Sequence, residues 1–254
     1  GFVAVPVVLA AKHYKVPVII HESDMTPGLA NKICIPSAAK ICCNFPETLS
    51  CLPKEKAVLT GSPIRKELLE GSRQAGLEYA GLSSNRPVLL IIGGSLGSVT
   101  VNKAVRKILP ELLKSFQVVH ICGKGNLDRT LQSLKGYVQY EYVDAPLKHL
   151  FAAADLMISR AGANSICEIL ALRKPNILIP LSAQASRGDQ ILNARSFAKQ
   201  GFSCVLEEEH LSDATLLKAV RETYQNRNSY ISKMETSSLH NAVDSIVQMI
   251  DDLA

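Results

Sequence analysis

The amino-acid sequence predicts a doubly wound α/β fold, in which helices cover both faces of a mainly parallel sheet. Nine short runs rich in Val, Ile and Leu predict the strands, and a helical pattern follows each of them. The runs are continuously apolar rather than alternating, as is expected of strands buried on both faces. Repeated strand and helix segments predict parallel strands joined by right-handed crossovers. The predicted strands are residues 16–20, 39–43, 57–59, 88–92, 117–121, 138–142, 156–158, 176–179 and 203–206.

The chain begins with an apolar helix over residues 3–11, with no strand before it. We therefore expect an element to precede Gly1 and the chain to be a fragment of a longer protein. The helix is too short to span a bilayer, and no run of about 18 uncharged apolar residues occurs elsewhere. The sequence thus predicts a soluble or peripheral protein.

Length and turn chemistry predict two domains. The chain has 254 residues, of which 47% are hydrophobic, and turn-forming residues cluster over residues 61–86. The predicted parts are residues 1–62, the later half of a first domain; residues 63–236, a second domain; and residues 237–254, an amphipathic helix at the boundary.

The charge balance excludes an extended nucleic-acid surface. The chain has 28 Lys and Arg against 23 Asp and Glu, a net charge of +5 that is scattered along the sequence. This small excess is compatible with an anionic membrane face.

The cysteines and most histidines are predicted to have structural places. Seven cysteines form no Cys-x-x-Cys pair, which favours reduced thiols, and the four between residues 34 and 51 are predicted to be buried in the core rather than to bind zinc. Five histidines are predicted to be surface or strand residues without partners, namely His13, His120, His149, His210 and His240.

A glycine turn follows the strand at 88–92 and precedes a predicted helix over residues 99–113. Gly94 and Gly97 let the backbone approach a ligand closely, and the Ser95 hydroxyl can donate to a phosphate oxygen. The turn lacks the Lys-Ser/Thr pair of a P-loop. The two interpretations that remain are a phosphate-binding turn and a tight connection between strand and helix.

A second glycine turn, Arg160-Ala161-Gly162, follows the strand at 156–158 and opens a helix that carries Glu168. Helix N–H groups can bind an anion there, and the carboxylate can accept hydrogen bonds from two sugar hydroxyls. A third loop, 180–190, ends in Asp189 and Gln190, which we expect at the same sheet edge; the alternative role for Asp189 is helix capping.

Motifs along the whole chain resemble the MurG family of glycosyltransferases. They stand in the family's order: Gly1-Phe2-Val3, His21-Glu22-Ser23-Asp24, Pro27-Gly28-Leu29-Ala30-Asn31-Lys32, Gly61-Ser62-Pro63-Ile64-Arg65, Gly93-Gly94-Ser95-Leu96-Gly97, Ala153-Ala154-Asp155, Arg160-Ala161-Gly162-Ala163, Glu168, Asp189-Gln190 and Asn193-Ala194. The resemblance implies a two-domain GT-B fold of two Rossmann-like domains, the first incomplete here. It also implies an inverting transfer of N-acetylglucosamine from UDP-N-acetylglucosamine to an undecaprenyl-linked muramyl-pentapeptide, giving lipid II for peptidoglycan.

The resemblance also implies roles for particular residues. Arg65 and the Ser95 turn, with Gly94 and Gly97, match the positions that hold the UDP diphosphate. The backbone contacts to the nucleotide sugar match Ala163, Asn164 and Ser165, and the contact to the ribose hydroxyls matches Glu168. Val143 matches the main-chain contact to the uracil edge, and the motif around it can be aligned one residue either way. Asp189 and Gln190 match the pair that contacts the transferred sugar. Asp24 matches a position near the donor sugar.

Three departures from the family pattern bear on catalysis. His21-Glu22-Ser23-Asp24 replaces His-Glu-Gln-Asn, Asp189-Gln190 replaces Gln-Gln, and the family's glycine-rich histidine loop would precede Gly1. His21 and Glu22 are candidate catalytic residues, with strand-end or capping roles as the alternative. We expect no metal or other cofactor to be required, and we expect this chain alone not to form lipid II.

The implied partners are the UDP-sugar, the lipid-linked acceptor and an anionic membrane surface, without nucleic acid. The implied location is the cytoplasmic face of the bacterial membrane, to which the protein binds peripherally. Two alternatives are the donor subunit of a split glycosyltransferase and a non-catalytic protein that binds UDP-sugars.

Overall fold

A computed structural model describes residues 1–94, 97–183, 188–239 and 241–253. The chain forms two compact units. Unit 1 comprises Gly1–Ile64 and Ser238–Ala254, and unit 2 comprises Arg65–Ser237. The C-terminal segment thus groups with the first part of the chain.

Unit 1 contains a three-stranded parallel sheet in the order β1-β2-β3. Its strands are β1 (Ile19–Glu22), β2 (Lys40–Cys43) and β3 (Ala57–Leu59), and its helices are α1 (Ala4–His13), α2 (Leu29–Cys34) and the terminal α12 (Val243–Asp251). Short 3-10 turns lie at Ile35–Ser37 and Pro46–Cys51. The Asn241 side chain accepts a hydrogen bond from Ile64 N, and Ala242 N donates to Ser62 O, so the start of α12 is fixed to the end of the first segment.

Three of the four clustered cysteines are buried in unit 1, as expected, but Cys51 is exposed. Cys51 ends a surface 3-10 turn instead of pointing into the core, so the prediction that all four are buried was wrong for this residue. Within the described ranges, no group of three or more His, Cys, Asp or Glu side chains is arranged to hold a metal ion.

Unit 2 contains a six-stranded parallel sheet. Its strands are β4 (Val88–Ile92), β5 (Gln117–Ile121), β6 (Tyr137–Tyr140), β7 (Leu156–Ser159), β8 (Asn176–Leu178) and β9 (Cys204–Val205). Its helices are α3 (Lys66–Leu69), α4 (Arg73–Ala80), α5 (Val99–Lys107), α6 (Leu109–Leu112), α7 (Leu147–Ala153), α8 (Ala163–Ala171), α9 (Asp189–Lys199), α10 (Asp213–Gln225) and α11 (Arg227–Glu235), with 3-10 turns at Arg129–Leu131 and Glu208–His210.

The strands of unit 2 are ordered β6-β5-β4-β7-β8-β9. Numbered from one to six along the chain, this is the order 3-2-1-4-5-6 of a Rossmann-like sheet. The order reverses between β4 and β7, whose register pairs Leu89 with Leu156 and Ile92 with Ser159. The two glycine turns follow these two strands, so the sequence motifs lie at the switch point, where open α/β sheets bind ligands.

Both faces of this sheet are buried, which explains the continuously apolar strand sequences. Leu89 and Ile91 of β4 pack into one core with α5 and α10. Val88 and Leu90 of the same strand pack into the other core, with α4 and α7. The nine predicted strands are all present, with bounds that differ by up to three residues.

The predicted helix at 99–113 is two helices, because a proline interrupts it. α5 ends at Lys107 and α6 begins at Leu109, with Pro110 in its first turn. Pro110 has no N–H to donate to Arg106 O, and its ring disfavours a continuous helix.

Helix α7 lies close to α4 at Gly76 and to the turn before α4 at Gly71. A Cβ on Gly76 would lie 2.1 Å from His149 O, and one on Gly71 would lie 2.1 Å from Lys148 O. Only glycine allows this separation, so the two residues fix how near α7 lies to α4.

His120 is fully buried and hydrogen-bonded, so the expectation of a histidine without partners was wrong. Its Nε2 lies 2.9 Å from Asn102 Oδ1, and its Nδ1 lies 2.9 Å from the Tyr137 hydroxyl. Asn102 Nδ2 already donates to Cys122 O, so Asn102 Oδ1 is an acceptor and His120 Nε2 carries the proton. His149 also has a partner, since its Nδ1 accepts from Ser72 N, whereas His240 lies outside the described residues.

None of the helices in the described part of the chain is both long enough and apolar enough to cross a bilayer.

Candidate functional site

A pocket of about 500 Å³ opens at the carboxyl ends of β4, β5, β6 and β7 in unit 2. Its floor is apolar and its rim carries charged side chains. The floor consists of Leu68, Ile92, Ile121, Leu147, Phe151, Met157 and Ile169, and the charged groups are Arg65, Glu67, Glu141, Asp144, Lys148 and Glu168. An apolar floor with a few polar groups is typical of small-molecule sites of this volume.

Five of the predicted site residues line this pocket. They are Arg65, Gly94, Val143, Ser165 and Glu168. Residues separated by more than 100 positions in the sequence are therefore brought to one site by the sheet edge.

Arg65 and Glu168 form an ion pair at the pocket rim. Arg65 Nη2 lies 3.2 Å from Glu168 Oε1, and the side chains are 63% and 21% exposed, respectively. Arg65 precedes α3, and Glu168 lies on the second turn of α8. An ion pair this exposed contributes about 0–1 kcal/mol, so a ligand can separate it at small cost.

Burial raises the pKa of Glu168, and the adjacent Arg65 guanidinium partly offsets this effect. The carboxylate is thus held partly out of water with one oxygen engaged by Arg65. Glu168 lines the pocket, and its Oε2 makes no hydrogen bond or ion pair with the described residues, so it can accept from hydroxyl donors.

The first glycine turn needs glycine at Gly97. Its φ is +76°, and a Cβ there would lie 2.1 Å from Cys122 O. The turn therefore packs against the chain that leaves β5, while Gly94, with φ +92°, faces the pocket. Ser95, the predicted phosphate donor, lies outside the described residues.

The second glycine turn does not need glycine for its backbone. Gly162 has φ −66°, which any residue adopts, and a Cβ would meet no described atom within 4 Å. Neither strain nor packing explains the glycine. It leaves open space before the first N–H groups of α8, where an anionic ligand can approach.

Val143 is buried, and the adjacent Tyr142 side chain is 70% exposed. Both line the pocket, beyond the end of β6. The Glu141 side chain is hydrogen-bonded to the loop after β5, because its Oε1 accepts from Gly125 N at 2.5 Å. Val143 thus lies in the wall of the pocket that follows β6.

Other predicted residues lie in unit 2 outside the pocket lining. Gly97 lies under the first turn, Ala163 and Asn164 begin α8, and Asp189 begins α9. Gln190 Oε1 accepts from Leu181 N at 3.0 Å, so its side chain closes the loop between β8 and α9.

His21, Glu22 and Asp24 lie in unit 1, at the end of β1 and in the turn after it. His21 Nε2 donates to Gly61 O at 3.0 Å. Glu22 is buried, with Oε1 accepting from Asp24 N and Oε2 accepting from Gly28 N and the Asn31 amide. These three donors use both carboxylate oxygens, which supports a structural role for Glu22 in this turn.

Arg160 has a role that the sequence did not indicate. It is buried, and its Nη2 donates to Glu208 Oε1 at 2.7 Å and to Ser98 Oγ at 2.7 Å. Its Nη1 donates to the carbonyls of Ile179 and Pro180. The guanidinium therefore ties the first glycine turn to the loop after β8.

Glu208 completes this connection, because its second oxygen accepts from Ser182 N at 3.2 Å. In the sequence Glu208 stands in a run of three glutamates, which is typical of a solvated surface. No sequence signal paired it with Arg160, but an arginine directly after an apolar strand was a signal that Arg160 is buried.

The sheet order, and a pocket at its switch point, define unit 2 as a Rossmann-like α/β domain with a ligand site at the carboxyl ends of its strands. Together with the solved structures described below, this gives the GT-B type of α/β fold, which many glycosyltransferases have.

Comparisons with known proteins identify the family. Residues 88–249 match the glycosyltransferase family 28 C-terminal domain, and residues 1–43 match the family 28 N-terminal domain. A protein of Lachnoclostridium phytofermentans is 66% identical over 253 residues, which are 100% of this chain and 71% of that protein. A Clostridium botulinum protein is 56% identical, over 98% of this chain and 71% of its own length. Both are named UDP-N-acetylglucosamine–N-acetylmuramyl-(pentapeptide) pyrophosphoryl-undecaprenol N-acetylglucosamine transferase.

The chain belongs to glycosyltransferase family 28 and, within it, to the MurG family. It spans about 71% of the length of the curated relatives given above.

Two solved structures support the fold. The crystal structure of Acinetobacter baumannii MurG is 26% identical, has a TM-score of 0.74 and is matched over 99% of this chain and 71% of that one. The UDP-GlcNAc 2-epimerase of Neisseria meningitidis, solved with UDP-GlcNAc bound, has a TM-score of 0.67 at 15% identity, over 98% of this chain and 73% of that one. The second likeness concerns the fold alone.

Proposed function

We propose that this protein is the UDP-N-acetylglucosamine-dependent transferase that makes lipid II from lipid I. The observation that carries the proposal is 66% identity over the whole chain to a relative with this name. The donor substrate is UDP-N-acetylglucosamine, and the acceptor is the muramyl-pentapeptide on its undecaprenyl diphosphate carrier.

The pocket in unit 2 is proposed as the donor site. The uracil ring lies on the apolar floor, and its polar edge contacts the main chain at Val143. Glu168 accepts hydrogen bonds from the ribose hydroxyls. Both assignments are supported by the position of these residues on opposite sides of one 500 Å³ pocket. Its volume falls within the range of small-molecule sites.

The diphosphate is proposed to lie toward Gly94 and the start of α8, and not deep in the pocket. The floor of the pocket is apolar, and four carboxylates against two cations line its rim, so a phosphate group deep in the pocket would be unfavourable. The first N–H groups of α8, the Ser95 turn and Arg65 are the donors suited to an anion. Arg65 exchanges a weak exposed pair with Glu168 for a charge-assisted bond to phosphate, worth about 1.5–3 kcal/mol.

The transferred sugar is proposed to contact Asp189 and Gln190 at the start of α9. In the reaction, the acceptor hydroxyl oxygen attacks the anomeric carbon, and the bond from that carbon to the UDP oxygen breaks with inversion. The hydroxyl proton passes to a base, and UDP leaves with its new charge stabilised by the fixed donors around the diphosphate. No metal ion is required for this step in our proposal.

The lipid acceptor places the reaction at a membrane surface. We propose that the protein acts peripherally on the cytoplasmic face of the bacterial membrane, where anionic lipids attract the modest positive charge of the chain.

Calorimetric titration of UDP and UDP-N-acetylglucosamine into the folded chain tests the donor site. Arg65→Ala should weaken both affinities by about tenfold, the value of one charge-assisted hydrogen bond. A matched control is Arg195→Ala, because Arg195 pairs with Glu207 at 2.8 Å with 64% and 28% exposure but does not line the pocket. Failure of the folded chain to bind either compound, or equal losses in both variants, would contradict the assignment.

A further inference from the structure

A second cavity lies on unit 2, between α5 and the loop that follows β5. It is a groove of about 330 Å³, which we call the α5 groove, lined by Val99, Asn102, Lys103, Arg106, Gly125, Asn126, Leu127, Asp128 and Arg129. None of these residues lines the larger pocket. None of the residues proposed to bind the donor lies in this groove.

The charge of the α5 groove is positive. Lys103, Arg106 and Arg129 face one carboxylate, that of Asp128. That carboxylate is engaged locally, because Asp128 Oδ1 accepts from both the N–H and the hydroxyl of Thr130. The larger pocket has the opposite balance, with two cations and four carboxylates, so the groove is the better place for a multivalent anion.

The cations of the groove form no close ion pair with the described residues. In the described part of the chain, no carboxylate oxygen lies within 4.0 Å of the charged nitrogens of Lys103, Arg106 or Arg129. Lys107, on the same helix, differs, since it pairs with Asp213 at 2.8 Å.

Arg106 is the half-buried member of this group, whereas Lys103 and Arg129 are exposed. Its Nη2 donates to Asn126 O and to Gln139 Oε1, which are uncharged acceptors. Its Nε is buried and has no hydrogen-bond acceptor among the described residues. After burial itself, the Arg106 charge is the second cause that lowers the pKa of His120, and the same charge helps to lower the pKa of Asp128.

We propose that the α5 groove binds a phosphate group, separately from the donor diphosphate. A half-buried cation without a counter-ion is stabilised by an anion, and the forked guanidinium groups of Arg106 and Arg129 match phosphate oxygens. A phosphate or diphosphate ester carries the two or more negative charges that complement the groove. Such a group occurs in soluble phosphate compounds and in lipid headgroups.

Calorimetry with inorganic pyrophosphate tests the site, with saturating UDP present to occupy the larger pocket. The double variant Lys103→Gln/Arg129→Gln removes two exposed groove cations whose side chains make no hydrogen bond or ion pair with the described residues, so folding should be preserved. The matched control is Lys218→Gln/Arg221→Gln, which removes the same charge from α10, outside the groove. Circular dichroism verifies that both variants are folded.

We expect one pyrophosphate per UDP-saturated chain, with affinity reduced about tenfold or more in the groove variant and unchanged in the control. No binding in the presence of UDP, or equal reductions in both variants, would overturn the proposal. If UDP does not bind at all, the comparison of the two variants with pyrophosphate alone still decides it, so the outcome is separable from that of the donor site.

Vesicle sedimentation identifies the source of the phosphate. If vesicles of phosphatidylglycerol bind the control but not the groove variant, while phosphatidylcholine vesicles bind neither, the ligand is a lipid headgroup. If phosphatidylglycerol vesicles bind both variants alike and pyrophosphate still separates them, the ligand is a soluble phosphate compound. Either result supports the site.

Discussion

Glu168 shows how one residue can be matched to one part of a ligand. It lies at the rim of the pocket, burial raises its pKa, and only one of its oxygens is engaged by Arg65. A carboxylate in this position suits a pair of hydroxyl donors better than it suits a phosphate.

This role predicts a specific loss in Glu168→Ala. The affinity for UDP should fall by about tenfold, because hydrogen bonds to a charged acceptor are lost. The affinity for 2′,3′-dideoxy-UDP, which lacks the ribose hydroxyls, should be the same for Glu168→Ala and for wild type. Calorimetry with both nucleotides provides the measurement.

Glu207→Ala is the control, since Glu207 pairs with Arg195 outside the pocket. An equal loss of both nucleotides in Glu168→Ala would refute the contact with the ribose.

Arg160 is a residue whose effect should be on stability. Arg160→Met leaves the Glu208 side chain, which is 12% exposed, with the N–H of Ser182 as its one hydrogen-bond partner among the described residues. Breaking a buried pair on one side costs about 3–5 kcal/mol of unfolding free energy. Urea unfolding followed by circular dichroism measures this cost.

The double variant Arg160→Met/Glu208→Gln should recover part of that loss, because no unpaired charge remains buried. A double variant less stable than Arg160→Met would contradict the assignment of the cost to the unpaired carboxylate.

At the scale of elements, two glycines have separable functions. Gly162→Ala should leave the unfolding free energy within about 0.5 kcal/mol of wild type, because its backbone and surroundings accept a Cβ. It should weaken UDP-N-acetylglucosamine binding, because the methyl group lies where the diphosphate approaches α8. Gly76→Ala should instead lower the unfolding free energy, since its Cβ would lie 2.1 Å from His149 O. It should leave UDP-N-acetylglucosamine binding by the folded chain unchanged.

Urea unfolding and calorimetry on both variants test this pair. Loss of stability in Gly162→Ala, or retained stability in Gly76→Ala, would show that the packing of α8 or of α4 against α7 has been described wrongly.

The elements were predictable where local sequence decides them. The strands were found because burial on both faces makes their sequences continuously apolar, as in β4 with Val88 to one core and Leu89 to the other. The break between α5 and α6 was missed although Pro110 indicated it, because the apolar pattern continues across the proline.

The site was predictable only in part. The resemblance brought together Arg65, Val143 and Glu168, which do line one pocket. The pairing of Arg160 with Glu208 depends on how distant loops meet, and nothing in either local sequence encodes it. The α5 groove was not foreseen for the same reason, since Arg129 follows β5 and Lys103 lies on α5.

At the scale of the whole molecule, His120 should make stability depend on pH. Burial first, and then the Arg106 charge, lower the pKa of His120 from 6.5 to about 3 in the folded chain. Between these values the unfolded chain binds more protons, so stability is complete above about pH 6.5 and falls as the pH is lowered toward 3. One such group contributes at most about 1.4 kcal/mol per pH unit.

Urea unfolding at pH 7.5 and at pH 5 measures this dependence. His120→Gln should lose less stability than wild type over that interval, while His13→Gln, a change at an exposed residue, should follow wild type. Equal losses in wild type and His120→Gln would contradict a neutral buried imidazole between Asn102 and Tyr137.

The central claim is that the switch point of unit 2 binds the donor nucleotide. A crystal structure of the chain with UDP tests it most directly. We predict the uracil ring against the main chain at Val143, the ribose hydroxyls within hydrogen-bond distance of Glu168, and the diphosphate at Gly94 and the start of α8, with Arg65 released from Glu168. A UDP molecule bound away from this pocket, or one whose diphosphate fills the apolar floor, would contradict the account.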